Sequence, residues 1–222
     1  MDGIGARTRF AGEMEELGKE LLSLGIKVEE QLRKAASAVR NGDLDLAREV
    51  KAGDGEIDAL QLAIEDRAGR IIATQQPVAS DLRELVTVFK VADNLERAGD
   101  HARHLAKAAK KFSGEAPSPQ IERLGRMAER GCEMVRGAVD AFLERDVAKA
   151  RAVAAMDDAI DAEHRALIEE ALGLMRQAPE RAERASKLIA TSGFLERLGD
   201  HMTNVCEAVV FMVEGRHVEL NE

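Results

Sequence analysis

The sequence contains no tryptophan and no tyrosine, and only six phenylalanines, four prolines and two cysteines among 222 residues. Scarce proline leaves long stretches without a helix breaker. The cysteines, Cys132 and Cys206, form no CxxC spacing and imply no disulfide scaffold, and reduced thiols in the core are expected. Residues 1–10 lack the apolar segment of a secretory signal. The longest apolar run, 208–213, is far too short to span a bilayer. A soluble, intracellular, cytoplasmic protein is expected. Basic residues number 32 against 41 acidic, a net charge of −9. That balance argues against a nucleic-acid partner, which needs a basic face to displace counterions. Lys107, Lys110 and Lys111 read as a solvated helix end. Catalytic signatures are missing as well: there is no GxSxG elbow, P-loop, strand-following GxGxxG or HExxH. Nor are there the paired Glu-x-x-His motifs of a ferritin-like di-iron oxidase. No enzyme is expected.

What remains is dominated by Ala, Leu, Glu, Lys and Arg, the strong helix formers. An all-α fold follows, and six helical stretches can be read. The first covers 8–39, with Phe10, Met14, Leu17, Leu21, Leu24 and Val28 spaced by threes and fours. Asn41-Gly42-Asp43 ends it and caps the second, 44–74. Pro77 stops that helix, and the third, 80–112, starts with Ser80 as a candidate N-cap. Residues 113–119 hold two Pro, one Gly and two Ser, the clearest linker in the chain. The fourth helix covers 120–144 and the fifth 146–176. Pro179 marks the next break, and the sixth runs to 214, with Gly215 as its C-cap.

Each half is thus three helices, and the halves share sequence. Leu95-Glu96-Arg97-Ala98-Gly99-Asp100-His101 recurs as Leu195-Glu196-Arg197-Leu198-Gly199-Asp200-His201. Upstream, Asp54-Gly55-Glu56-Ile57-Asp58 is echoed by Asp157-Asp158-Ala159-Ile160-Asp161. Duplication of one three-helix unit accounts for both. The expected organisation is a first repeat over 1–113, a linker over 114–119 and a second repeat over 120–222.

Asp54 with Asp58, Glu96 with Asp100, Asp157 with Asp161 and Glu196 with Asp200 are each four apart and share a helix face. Such pairs arise by chance about seven times in a chain this acidic, so spacing alone carries little. Placement carries more. Asp58 and Glu96 lie equally far along the chain from Pro77, and Asp161 and Glu196 equally far from the Pro179 region. At 1.5 Å per residue, each hairpin returns its two pairs to one level. Four carboxylates at one level repel unless protons or a cation intervene. A carboxylate-only set suits Mg, Mn, Ca or oxygen-bound Fe, and suits Zn poorly. Arg97 and Arg197 offer the competing account, ion pairs without metal. Asp93, three before Glu96, could add a ligand in the first half, but its counterpart is Gly193. His101 and His201 point about 100° away from the second acid of each motif and read as structural or surface groups. Gly99 and Gly199 cost about 1 kcal/mol each in mid-helix, which suggests close packing or room beside the acids.

Gln75-Gln76-Pro77-Val78-Ala79-Ser80-Asp81-Leu82-Arg83 followed by Leu95 to His101 resembles the PhoU family. So does the second motif followed by Asn204-Val205-Cys206-Glu207-Ala208-Val209 and Gly215. The resemblance spans nearly the whole chain. It implies two tandem three-helix bundles, the PhoU-like six-helix fold. It also implies multinuclear sites for divalent or trivalent metal ions, Fe, Mn or Mg, on Asp54, Asp58, Glu96 and Asp100 and on Asp157, Asp161, Glu196 and Asp200. The implied role is negative regulation of the phosphate-starvation response and of phosphate uptake. The protein would act as an adaptor between the ATPase subunit of a phosphate ABC transporter and a sensor histidine kinase, meeting the membrane only through these partners, and with a homodimer open to it. The alternative is an iron-binding redox or storage metalloprotein of helical-bundle type.

Overall fold

The computed structural model describes residues 2–114 and 118–221. Among them α1 (Asp2–Asn41), α2 (Leu44–Gln75) and α3 (Ser80–Phe112) form one three-helix bundle. A second is built from α4 (Pro119–Glu144), α5 (Val147–Ala154), α6 (Asp157–Gln177), a 3-10 turn (Pro179–Arg181) and α7 (Ala182–Glu214). The described residues contain no strand. The all-α fold of two tandem three-helix bundles is therefore as the sequence implies. Of the expected linker 114–119, residues 115–117 lie outside the described residues.

Three-and-four spacing becomes burial in α1, where Leu17, Leu21, Leu24, Val28, Leu32 and Ala35 are fully buried. Each large side chain so buried stabilises the fold by about 1.5–3 kcal/mol. Polar residues close the helix ends. The Asp43 carboxylate accepts from the N–H groups of Asp45 and Leu46 at 3.0 and 2.9 Å. The Asp146 carboxylate accepts from the N–H of Lys149 at 2.9 Å, and Ser118 caps α4 ahead of Pro119. These satisfy amides that the first helical turn cannot.

The bundles do not stand apart. α3 packs along α7 and α1 along α4, and one apolar core runs through both halves. α3 buries many small residues, among them Ala98, Gly99, Ala102, Ala106 and Ala109. Where α4 meets both halves, a Cβ at Gly131 would stand 2.9 Å from Leu198 and 3.2 Å from Leu32. The helices that carry the acidic motifs are thereby fixed relative to one another.

Two expectations need correction. Ser80 is not the N-cap of α3 but its first helical residue; Ala79 holds the cap position with φ 50° and ψ −116°. Backbone carbonyls of the turn take the bonds instead, Asp81 N–H donating to Val78 O and Arg83 N–H to Ala79 O. The fifth helix, expected unbroken over 146–176, is interrupted at Ala155 and Met156. Ala and Met favour helix, so packing sets the break. The Val153 side chain fills the space beside Gly137, 2.6 Å from where a Cβ would lie, and the Asp157 carboxyl lies against Gly199.

Ala79 is in a backbone region that glycine adopts freely and other residues adopt under strain. Ala79→Gly should raise stability by about 0.5–1 kcal/mol, read as a higher urea midpoint at unchanged m-value; an unchanged or lower midpoint would contradict the strain.

Candidate metal centre: two carboxylate quartets

Antiparallel hairpins bring the predicted acids together in both halves. In the first, α2 supplies Asp54 and Asp58, and α3 supplies Glu96 and Asp100. The Glu96 carboxyl is pushed above its usual range, first by burial, then by the charges of Asp100, Asp58 and Asp93. Asp54 is also raised, by burial and by Asp58 and Asp100, with Arg103 opposing. Such effects require the four carboxylates to lie within Coulombic reach. In the second half, α6 supplies Asp157 and Asp161, and α7 supplies Glu196 and Asp200. Asp157 is pushed up to about 6 by burial, Asp161 and Asp200. Glu196 is raised by burial, Asp200 and Asp161, and Asp200 by burial and Asp161. Arg103 links Asp54 to Asp100 and Asn221 links Asp157 to Asp200, so each hairpin sets an acid of one helix opposite an acid of the other. Asp93 is exposed at the edge of the first quartet.

Each motif is buried on one side and wet on the other. Leu95, Ala98, Gly99 and Ala102 face the core from α3, as do Leu195, Leu198, Gly199 and Met202 from α7. The two mid-helix glycines serve different ends. A Cβ at Gly99 would press on Ile57 at 3.0–3.1 Å, whereas a Cβ at Gly199 would lie 2.0 Å from Asp157 Oδ1. Gly99 permits close helix packing; Gly199 makes room for a carboxylate.

The quartets are neutralised differently. In the first, Arg103 spans the acids, with Nε 2.7 Å from Asp54 Oδ2 and Nη2 bonded to Asp100 Oδ1. A guanidinium is a fixed internal cation with forked donors. Arg97, the expected neutraliser, is exposed and only 3.8 Å from Glu96. Arg103 lies three residues beyond Asp100 on the same face, so helical spacing could have singled it out. In the second quartet the corresponding residue is Thr203, whose hydroxyl donates to Asp157 Oδ2 at 3.4 Å. The Asn221 amide donates to Asp157 Oδ2 at 3.0 Å and to Asp200 Oδ1 at 3.4 Å. Nothing in the local pattern marks Asn221, which arrives from beyond α7. Asp157 is 4% exposed, and its buried Oδ1 has no hydrogen-bond partner among the described residues.

The donor chemistry of the second quartet fits a hard cation: oxygen ligands, a buried orphan oxygen and no fixed guanidinium spanning the acids. In the first quartet Arg103 stands where such a cation would. As the side chains stand, no three His, Cys, Asp or Glu among the described residues are gathered closely enough to hold an ion, so rotation of the carboxylates would have to complete a site.

The histidines face away from the acids. His101 and His201 stack across the α3–α7 contact with ring centroids 5.4 Å apart, and His104 and Phe194 extend the cluster. His201 Nδ1 lies 2.9 Å from Asn94 Oδ1, which only accepts, so Nδ1 carries the proton. Burial, then His201 and His104, bring His101 down to about 4. Cys132 and Cys206 are free and buried, and burial pushes both thiols up to about 12. His164 and Ser192 make a 2.8 Å contact beside the second quartet. The Ser192 hydroxyl is buried and donates to Ile189 O. No helix among the described residues is long and apolar enough to cross a membrane.

Comparison with known proteins sets this geometry in context. The PhoU domain matches the chain twice, over residues 21–109 and 124–209. A "Phosphate-specific transport system accessory protein PhoU homolog" of Clostridium acetobutylicum is 35% identical over 97% of this chain and 99% of its own length. The Escherichia coli protein named "Phosphate-specific transport system accessory protein PhoU" is 30% identical over 95% of this chain and 88% of its own. Among solved structures, PhoU from Pseudomonas aeruginosa superposes with a TM-score of 0.88 at 33% identity, covering 93% of this chain and all of that one. The phosphate transport system regulatory protein PhoU from Streptococcus pneumoniae gives 0.88 at 31% identity, covering 95% and 99%.

Burial of Asp157 beside Asp161 and Asp200 yields a stability prediction. Asp157 titrates near 6 in the folded chain and near 3.9 when unfolded. Between those values the unfolded state binds fewer protons, so stability falls as pH rises through the window and stays lowered above it. Asp157→Asn should therefore stabilise the metal-free protein at pH 8 by about 1–3 kcal/mol, and by little at pH 4. Urea unfolding in a chelating buffer at both pH values checks this; equal effects at both would refute it.

Proposed function

The chain belongs to the PhoU family, and from that premise we propose that it is a negative regulator of the phosphate-starvation response and of phosphate uptake. It acts by binding rather than by catalysis, as an adaptor between the ATPase subunit of a phosphate ABC transporter and a sensor histidine kinase. Relatives matched over nearly their full length are named as accessory proteins of the phosphate-specific transport system, and one solved relative is described as its regulatory protein. The observation that carries the reading is the paired carboxylate quartet on a duplicated hairpin.

Glu196, Asp200, Asp161 and Asp157 would hold a hard divalent or trivalent cation, with Asp54, Asp58, Glu96 and Asp100 as the corresponding set. Such an ion would supply charge that draws two helices of a hairpin together. Without it the acids of the second hairpin repel; Thr203 and Asn221 meet Asp157 with neutral donors, and Arg165 pairs with Asp161 only at the exposed edge, 3.5 Å away. In the first hairpin Arg103 already ties α2 to α3. The α3–α7 packing joins both hairpins in one body, so a change at either quartet acts on a rigid two-bundle surface of the kind a partner reads.

Deleting the gene in the native host should derepress a phosphate-starvation reporter at least several-fold in phosphate-rich medium, and the intact gene should restore repression. Glu196→Ala with Asp200→Ala should fold, bind less Mn2+ and restore repression poorly. The purified protein should capture the transporter ATPase and should not consume oxygen with ferrous iron. A reporter indifferent to the deletion refutes the regulatory reading; sustained oxygen consumption would favour the iron-redox alternative.

A further inference from the structure

The segment after α7 folds back onto the second quartet. Gly215 adopts φ 72° and donates its N–H to Phe211 O, the left-handed cap that reverses the chain. The His217 ring then stacks on Phe211 at 4.3 Å and 8°. Farther back, the Leu220 N–H donates to Glu207 Oε1 at 2.9 Å, and the Leu220 side chain packs on the core. Asn221 ends the run between Asp157 and Asp200. The contacts step down α7 from 211 to 207 to 200. Six extended residues cover about 20 Å, the rise of about fourteen helical residues, so the length suits the span.

We propose that residues 216–221 form an intramolecular strap whose Asn221 amide occupies the cation position of the second quartet and competes with the cation for Asp157 and Asp200. This rests on the metal reading above and adds to it a gate that belongs to one half only. An amide N–H is a neutral donor and satisfies only part of the anionic charge. It touches Asp157 Oδ2 but leaves the buried Oδ1 without a partner. The amide stands between Asp157 and Asp200, bonded to both, so a hard cation seated between the same two carboxylates takes the space the amide fills and moves it aside. Displacing it undoes the Leu220–Glu207 bond next to it, so occupancy of the site becomes release of the strap from α7. The first quartet has no such gate, because its internal cation is Arg103, part of α3 itself.

The test is Mn2+ binding by calorimetry on the full chain, on Asn221→Ala, and on a chain ending at Gly215. Hydrogen exchange at the Leu220 amide of the full chain is followed in parallel. Removing the strap should tighten Mn2+ binding at one site about tenfold, the equivalent of one hydrogen bond to a charged group, and Asn221→Ala should tighten it several-fold. Mn2+ should speed exchange at Leu220. Equal affinity in all three chains overturns the strap while leaving the metal reading intact. Weaker binding by Asn221→Ala also overturns it, since the residue would then be a ligand. No Mn2+ uptake by any of the three overturns both.

Discussion

Repulsion between carboxylates that packing will not let separate is the constraint around which this molecule is organised. The α2–α3 and α6–α7 hairpins are held together by apolar faces, with Leu95, Leu105, Leu195 and Leu198 among the buried side chains. Burying such faces contributes far more than an exposed like-charge pair costs, about 0.2–0.5 kcal/mol. The core therefore wins, and the acids are carried to one level. The raised titration of Asp54, Glu96, Asp157, Glu196 and Asp200 follows first from burial and then from the neighbouring carboxylates. A site kept against local stability in this way is the pattern expected where function, not folding, selected the residues.

Duplication gave two copies of the conflict, and each half resolves it differently. In the first, an arginine one turn beyond the motif puts a permanent positive charge between α2 and α3. In the second, the corresponding residue is a threonine, and the missing charge is met in part by an amide from a distant segment. The glycine of each motif follows the same divergence: one accommodates an isoleucine, the other a carboxylate. Equal motifs thus sit in unequal environments. The second quartet keeps a buried carboxylate oxygen, Asp157 Oδ1, with no hydrogen-bond partner among the described residues.

Between the quartets lies the α3–α7 contact, across which His101 and His201 stack. Its tightness makes the two bundles one body. The histidines that follow each motif belong to this contact rather than to the acids, since one residue further along a helix is a rotation of about 100°.

Periodicity, breakers and repetition fixed much of this protein in advance. Leu17 to Val28 had to be a buried stripe because their spacing repeats the helical turn. Pro77 had to end α2, and the distances from Pro77 and Pro179 had to bring the acid pairs level. These follow from short-range geometry, which a sequence states directly. The break at Ala155 and Met156 was not legible, because good helix formers yielded there to packing beside Gly137 and Gly199. Arg103 was within reach of helical spacing, whereas Asn221 was not. Whether a carboxylate meets a guanidinium, an amide or nothing depends on which distant segment the fold lays beside it. Only the tertiary structure decides that, because contact energies between residues far apart in the chain have no local signature.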